Sequence, residues 1–172
     1  MAIEQPTPSE ADASVHDRLI RLLDDHQVRY TRMEHPPVYT SEEAARVRGT
    51  SLCSGAKALV CKLDDRFALF VLPAHCRLAN RLVRRMLGSR HLRFASVEEV
   101  WQWTRLRPGA IPPFGSLFGL KTYCDELLTR EPRINFNAGD HSVSLSIGVD
   151  DYLRVEQPVV GHFAVAPDEA AE

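Results

Sequence analysis

Arginine outnumbers lysine 18 to 3 in this chain of 172 residues. One of the three lysines, Lys57, sits where a glycine-containing loop runs into an apolar stretch, Gly55-Ala56-Lys57-Ala58-Leu59-Val60. An ammonium drawn into a buried strand is costly unless it meets an anion or a polar ligand. Such a lysine is either a charge-stabilising group or one that reaches back to water or to a carboxylate. A second candidate is Gly109-Ala110-Ile111-Pro112-Pro113-Phe114-Gly115. Its prolines and glycines exclude regular structure and make a stiff turn, and its non-proline positions carry amides that can act as fixed donors. Asn137, ahead of Ala138-Gly139, can hydrogen-bond a ligand or serve the turn that Asn and Gly favour. Tyr39 and Thr40 follow the break at His35-Pro36-Pro37 and read either as pocket lining or as turn residues. His35 and His141 have no evident carboxylate partner and read as structural or exposed. Cys53 could act as a thiol nucleophile only beside a histidine, and no nucleophile motif surrounds it.

The four cysteines, Cys53, Cys61, Cys76 and Cys124, form no Cys-x-x-Cys pair and lack spaced histidines. No metal site is expected, and Cys61 and Cys124 inside apolar runs read as packing residues. No Gly-x-Gly-x-x-Gly or Walker-type loop occurs, so no cofactor is expected. The net charge of −2 supplies no global attraction to nucleic acid, and any such contact has to come from a local patch. One is visible: over 77–87, read as a helix, Arg77, Arg81, Arg84 and Arg85 fall in one sector opposite Leu78, Leu82, Met86 and Leu87. Arg90 and Arg93 extend it. The stripe suits phosphate contacts, and it suits equally an ordinary solvated face in an arginine-rich chain. Trp101 and Trp103 could stack on bases, but too few other exposed aromatics are identifiable for a single-strand platform.

These residues need elements to hold them. Helical spacing of Val15, Leu19, Ile20, Leu22 and Leu23 predicts a helix over 14–26, capped by Ser14. A strand over 28–33 ends at the prolines. Ser41 followed by Glu42 and Glu43 predicts a capped helix closed by Gly49. Residues 56–63 and 67–73 read as strands covered on both faces, because apolar residues follow one another without alternation. A short strand over 91–95 precedes a helix at 96–103, where Ser96 and Glu99 fit a capping box. Strands at 120–124, 133–136 and 142–147 and a helical turn at 150–155 complete the chain. The sum is a mixed α+β domain of six or seven strands with peripheral helices, not a regular βαβ repeat.

Length and a hydrophobic content of 44% suit one domain. It is expected over 13–166, between flexible tails at 1–12 and 167–172. No apolar run approaches the roughly 20 residues of a membrane helix, and no export signal is visible. A cytoplasmic location without a membrane partner is expected.

Four of these motifs, in order, resemble the YbaK/ProX family of aminoacyl-tRNA deacylases. Glu34-His35-Pro36-Pro37-Val38-Tyr39-Thr40-Ser41-Glu42-Glu43-Ala44-Ala45 is similar to its opening segment, and Gly55-Ala56-Lys57-Ala58-Leu59-Val60 to its lysine-bearing strand. Gly109–Gly115 resembles its Gly-x-x-x-Pro-x-Gly loop, and Asn135-Phe136-Asn137-Ala138-Gly139 its late strand and turn. The likeness spans about residues 30–155 and is greatest to the free-standing YeaK-like branch. It departs from the cysteinyl-tRNA-specific branch at Asn137, where serine is usual, and at Ala110, where a second glycine is usual.

The resemblance implies a single YbaK/ProX-like domain with a central, mixed, partly barrel-like sheet surrounded by helices. It implies a metal-independent, cofactor-free trans-editing hydrolase that cleaves the ester of a mischarged small amino acid, Ser, Ala or Thr, from tRNA. Lys57 and Gly109 become the expected catalytic positions. Tyr39, Thr40, Ala110, Ile111, Pro113, Phe114, Gly115, Asn137 and Gly139 become the expected substrate-binding ones, and Arg77, Arg81, Arg84 and Arg85 the tRNA-binding ones. The partner is the acceptor end of aminoacyl-tRNA, with an aminoacyl-tRNA synthetase as a second expected partner and DNA not expected. Ester hydrolysis passes through an oxyanion, which a lysine charge and loop amides would stabilise. The substrate's own ribose hydroxyl or side chain would help activate water, with no protein nucleophile. The rival is a non-catalytic module with the same fold that holds tRNA or an amino acid for a synthetase.

Overall fold

The computed structural model describes residues 13–168; positions 1–12 and 169–172 of the expected tails lie outside the described residues. Helix α1, Val15–Asp25, forms as its periodicity predicts. The Ser14 hydroxyl accepts the Asp17 amide, and Val15, Leu19 and Leu23 are buried. Strand β1 covers Tyr30–Glu34 and helix α2 covers Ser41–Arg48. The α2 cap is Thr40, one residue before the expected Ser41: Thr40 has extended dihedrals and its hydroxyl accepts the Glu43 amide, whereas Ser41 is already helical. Gly49 ends the helix at φ 68°, in the left-handed region that favours glycine.

Strands β2, Ala56–Leu63, and β3, Arg66–Pro73, pair antiparallel along their whole length. Strand β4 is Arg77–Leu78, helix α3 Asn80–Leu87, strand β5 Leu92–Phe94 and helix α4 Val97–Thr104. The Ser96–Glu99 capping box is formed. Strands β6, Lys121–Asp125, β7, Arg133–Asn137, and β8, Val143–Gly148, lead into helix α5, Val149–Glu156. Strands β9, Val159–Gly161, and β10, Ala164–Val165, come last.

The expected helix over 77–87 is corrected at its start. Arg77 and Leu78 pair with Val165 and Ala164, and the helix begins at Asn80. The cause is distant: the fully buried Asp125 carboxylate accepts the amides of Phe163 and Ala164 at 2.8 and 2.7 Å and so carries β10 to β4. Helical periodicity holds no record of such a partner.

The fold is mixed α+β. A five-stranded sheet runs β5-β2-β3-β6-β9, antiparallel at β5-β2-β3 and parallel at β3-β6-β9. A three-stranded antiparallel sheet runs β1-β8-β7, and β4 pairs with β10. The partly barrel-like expectation is corrected: among the described residues these are three open sheets. Central β3 is buried on both faces, as its unbroken apolar run requires. Leu69 and Val71 join the core shared with α1, α5 and the three-stranded sheet, while Ala68, Phe70 and Leu72 join a second core under α3. Burying one such side chain contributes about 2 kcal/mol. Strand β2 is less enclosed, because β5 covers only Cys61–Leu63. The first half of β2 therefore keeps a free edge there, and Lys57 is on it.

Candidate active site

Along that edge lies a cavity of about 170 Å³, comparable to one that holds a benzene-sized guest. Its walls come from five separate segments. Val38–Ser41 and α2 contribute one side, Gly55–Leu59 the floor, Ala74 just after β3 one end, and Gly109, Ile111 and Asn137 the opposite rim. Among the described residues two cations, Lys57 and Arg48, line it, and no carboxylate does.

Lys57 reaches the cavity where Gly55 lets the start of β2 and the end of β3 approach closely. The Gly55 carbonyl accepts the Ala74 amide at 2.8 Å, and a Cβ at Gly55 would stand 2.9 Å from the Ala74 Cβ. The Lys57 ammonium donates to the Ala74 carbonyl at 3.2 Å. Burial holds its pKa below the ordinary lysine value, Cys76 and Glu42 oppose the shift, and Arg77 adds to it. One of three ammonium donors is engaged, so the charge is available to a guest.

Helix α2 ends at Arg48, whose guanidinium is largely buried. Nε donates to the Ser144 hydroxyl at 2.8 Å and Nη2 to the Asn137 Oδ1 at 2.9 Å. It forms no ion pair among the described residues, and desolvation lowers its pKa to about 10. Asn137 in turn donates from Nδ2 to the Gly109 carbonyl at 2.8 Å. The Ala110 carbonyl accepts the Gly139 amide at 2.9 Å. Two consecutive carbonyls of the 109–115 loop are thus tied to the last residue of β7 and the turn after it. In a trans peptide the N–H points opposite to the C=O, so the Ile111 amide faces away from Gly139. Among the described residues it meets no acceptor, and Ile111 lines the cavity.

The second half of the loop is anchor rather than wall. Phe114 is fully buried, edge-on to Phe136 and Tyr152 at 5.9 and 5.3 Å, and the Pro113 carbonyl accepts the Tyr152 hydroxyl at 2.8 Å. Gly115 donates its amide to Thr122 Oγ1 at 3.0 Å, and a Cβ there would overlap Thr122 and the Leu120 carbonyl. Of the positions expected to bind substrate, Tyr39, Thr40, Ile111 and Asn137 line the cavity with Lys57 and Gly109. Ala110, Pro113, Phe114, Gly115 and Gly139 do not. Ala110 and Gly139 support the rim through the bond just described. Thr40 caps α2, and Tyr39 is 71% exposed with its ring 4.8 Å from that of His141.

The four expected tRNA-binding arginines lie elsewhere. Arg81, Arg84 and Arg85 are exposed on α3, Arg77 is exposed on β4, and none lines the cavity or pairs with an acid among the described residues. Arg93, which extended the stripe, is held by Glu99 in a bidentate pair at 2.7 Å. Cys53 is exposed, is absent from the cavity wall, and is hydrogen-bonded to no histidine among the described residues. Cys61 and Cys124 are buried packing thiols with pKa pushed up to about 12 by desolvation. Among the described residues no three His, Cys, Asp or Glu side chains gather as a metal site, and no helix is long and apolar enough to cross a membrane.

Sequence reasoning missed Arg48 and Ser144 and underrated His35. Arg48 lies between the 34–45 and 55–60 segments, and one arginine among 18 carries no mark. Ser144 is 3% exposed, and the two side chains that bond it come from far along the chain.

A cationic, acid-free cavity with an unengaged amide on its rim can hold a carbonyl and stabilise negative charge developing on its oxygen. The comparisons agree with that chemistry. Residues 35–155 match the sequence model of the aminoacyl-tRNA editing domain. The chain is 36% identical over 153 residues to the multifunctional Ser/Thr-tRNA deacylase ProXp-y of Escherichia coli K12, covering 86% of this chain and 92% of that one. It is 34% identical over 118 residues to the proline–tRNA ligase of Shouchella clausii, covering 67% of this chain and 21% of the ligase. The fold superposes on the crystal structure of a candidate trans-editing enzyme for prolyl tRNA synthetase with TM-score 0.78 and 24% identity, over 90% of this chain and 99% of that one.

Proposed function

Because this chain belongs to the aminoacyl-tRNA editing domain family, we propose that it is a trans-acting deacylase that frees tRNA from a wrongly attached small amino acid, Ser, Ala or Thr. The observation that carries the reading is that Lys57 and the Gly109–Ile111 rim face one cavity lined by no carboxylate. Water adds to the ester carbonyl, the Lys57 ammonium and the Ile111 amide hold the resulting oxyanion, and collapse expels the ribose oxygen. The products are the free amino acid and tRNA with its terminal hydroxyl restored. An aminoacyl ester is already reactive, so positioning by the cavity lowers the barrier without a covalent intermediate. The adjacent ribose hydroxyl of the substrate assists the water.

The cavity volume supports a small aminoacyl group, with the nucleotide left outside. The hydroxyl-bearing Thr40, Ser41 and Ser51 on its wall suit a polar side chain. The 36% relative, a Ser/Thr-tRNA deacylase by name, supports the same choice. The similarity to part of a proline–tRNA ligase supports a synthetase as working partner.

Deacylation of a panel of mischarged tRNAs by wild type and Lys57→Ala tests the reading. Cleavage of seryl-, alanyl- or threonyl-tRNA by wild type, lost in a folded variant, is the expected result. No cleavage by either protein would establish the non-catalytic binding module instead.

A further inference from the structure

Five groups form one hydrogen-bonded line whose direction is set once His35 is neutral. His35 Nδ1 lies 2.8 Å from the Pro36 carbonyl, which can only accept, so Nδ1 carries the proton and Nε2 of a neutral ring is an acceptor. The Ser144 hydroxyl, 2.7 Å from Nε2, donates to it and accepts from Arg48 Nε. Arg48 Nη2 donates to Asn137 Oδ1, and Asn137 Nδ2 donates to the Gly109 carbonyl. Ser144 and Asn137 are direct cross-strand partners on β8 and β7, so Arg48 bridges one rung of that sheet.

The line explains a costly arrangement. A guanidinium buried without a carboxylate is destabilising unless its donors are hydrogen-bonded, and a cost kept at a cavity points to a role there. Here they orient Asn137, whose Oδ1 and Nδ2 are both engaged and whose side chain is the tie on the first carbonyl of the cavity rim. Asn137, expected to bind substrate, has one oxygen lone pair left for a guest.

We propose that Arg48 is a positioning residue: acting through Asn137, it fixes the Gly109–Ile111 rim so that the Ile111 amide is held ready for the oxyanion. The inference rests on the deacylase reading and adds to it a residue that need not touch the reacting atoms. Loss of the tie lets the rim relax while the cavity keeps its shape, so kcat falls and KM moves little. A misplacement of about 1 Å at such a rim costs up to about 100-fold.

The test is a kinetic double-mutant cycle on a mischarged tRNA that wild type cleaves. Arg48→Gln and Asn137→Ala should each lower kcat by about 10- to 100-fold, and for Arg48→Gln KM should change by less than about threefold. Because both cut one tie, the double variant should be no more than about twofold worse than the worse single. Multiplying losses would overturn the relay. Added guanidinium should restore part of the Arg48→Ala rate, which a merely structural role does not predict; absence of rescue in a variant whose melting temperature matches wild type would also count against it. Hydrogen exchange reads the same tie without catalysis. Backbone amides at 109–111 should exchange faster in Arg48→Gln, and unchanged exchange overturns the proposal. Should wild type cleave no ester, the deacylase reading falls while the exchange result still decides whether Arg48 holds the rim.

Discussion

The Lys57 ammonium donates to the Ala74 carbonyl at 3.2 Å, across the end of the β2–β3 pair that Gly55 draws together. A carbonyl orients the amine without neutralising it, and the charge stays directed at the cavity. Lys57→Ala should lower kcat/KM for aminoacyl-tRNA by about 100-fold or more, the scale of losing one oxyanion-stabilising group. The melting temperature should hardly change. Cys53→Ser should leave the rate within about twofold, because that thiol is outside the cavity wall. Rates of ester cleavage for the two variants check both statements.

Burial lowers the Lys57 pKa, so the amine loses its proton at a lower pH than an exposed lysine does. The enzymatic rate, corrected for spontaneous ester hydrolysis, should fall as pH rises through that lowered value, with the midpoint below that of an ordinary lysine. Stability has the opposite sign. The unfolded chain binds the extra proton between the two pKa values, so this group makes the fold more stable as pH rises through that window. A pH–rate profile that loses its alkaline limb in Lys57→Ala, and urea midpoints over the same range, measure the two effects.

Gly115 and Gly109 differ in what an added methyl would meet. Gly115→Ala would drive a Cβ into Thr122 and the Leu120 carbonyl and should destabilise the fold by about 1–3 kcal/mol. Gly109→Ala places a side chain at φ 91° with the His141 ring 3.3 Å away. Strain of about 1–2 kcal/mol should appear there together with a fall in kcat, because that carbonyl holds the rim. Thermal melts paired with single-turnover rates separate the two glycines.

Arg81, Arg84 and Arg85 stand exposed on α3 without acidic partners among the described residues. If they meet the phosphates of the bound tRNA, each change to Gln should weaken tRNA binding and reduce the slope of log K against log salt by about 0.9. The rate on saturating substrate should stay the same. A slope equal to wild type in the triple variant would leave this face a solvated one.

Local signals in the sequence carried the secondary elements. The α1 stripe, the Ser96–Glu99 box, the Gly49 stop and the unbroken apolar run of β3 all act within a few residues or through one strand, and all appear in the fold. The stiff loop, the strand-borne lysine and the α+β class were legible for the same reason. What tertiary structure alone decided is which half of the loop faces the cavity. Phe114 went to the core because Phe136 and Tyr152 offered it a buried site, leaving Gly109 and Ile111 as the rim. It likewise took Arg77 from α3 for a strand and brought Arg48 to partners 89 and 96 residues away. Propensity and capping are short-range terms written in neighbouring residues; a buried side chain's partner is set by packing among distant segments.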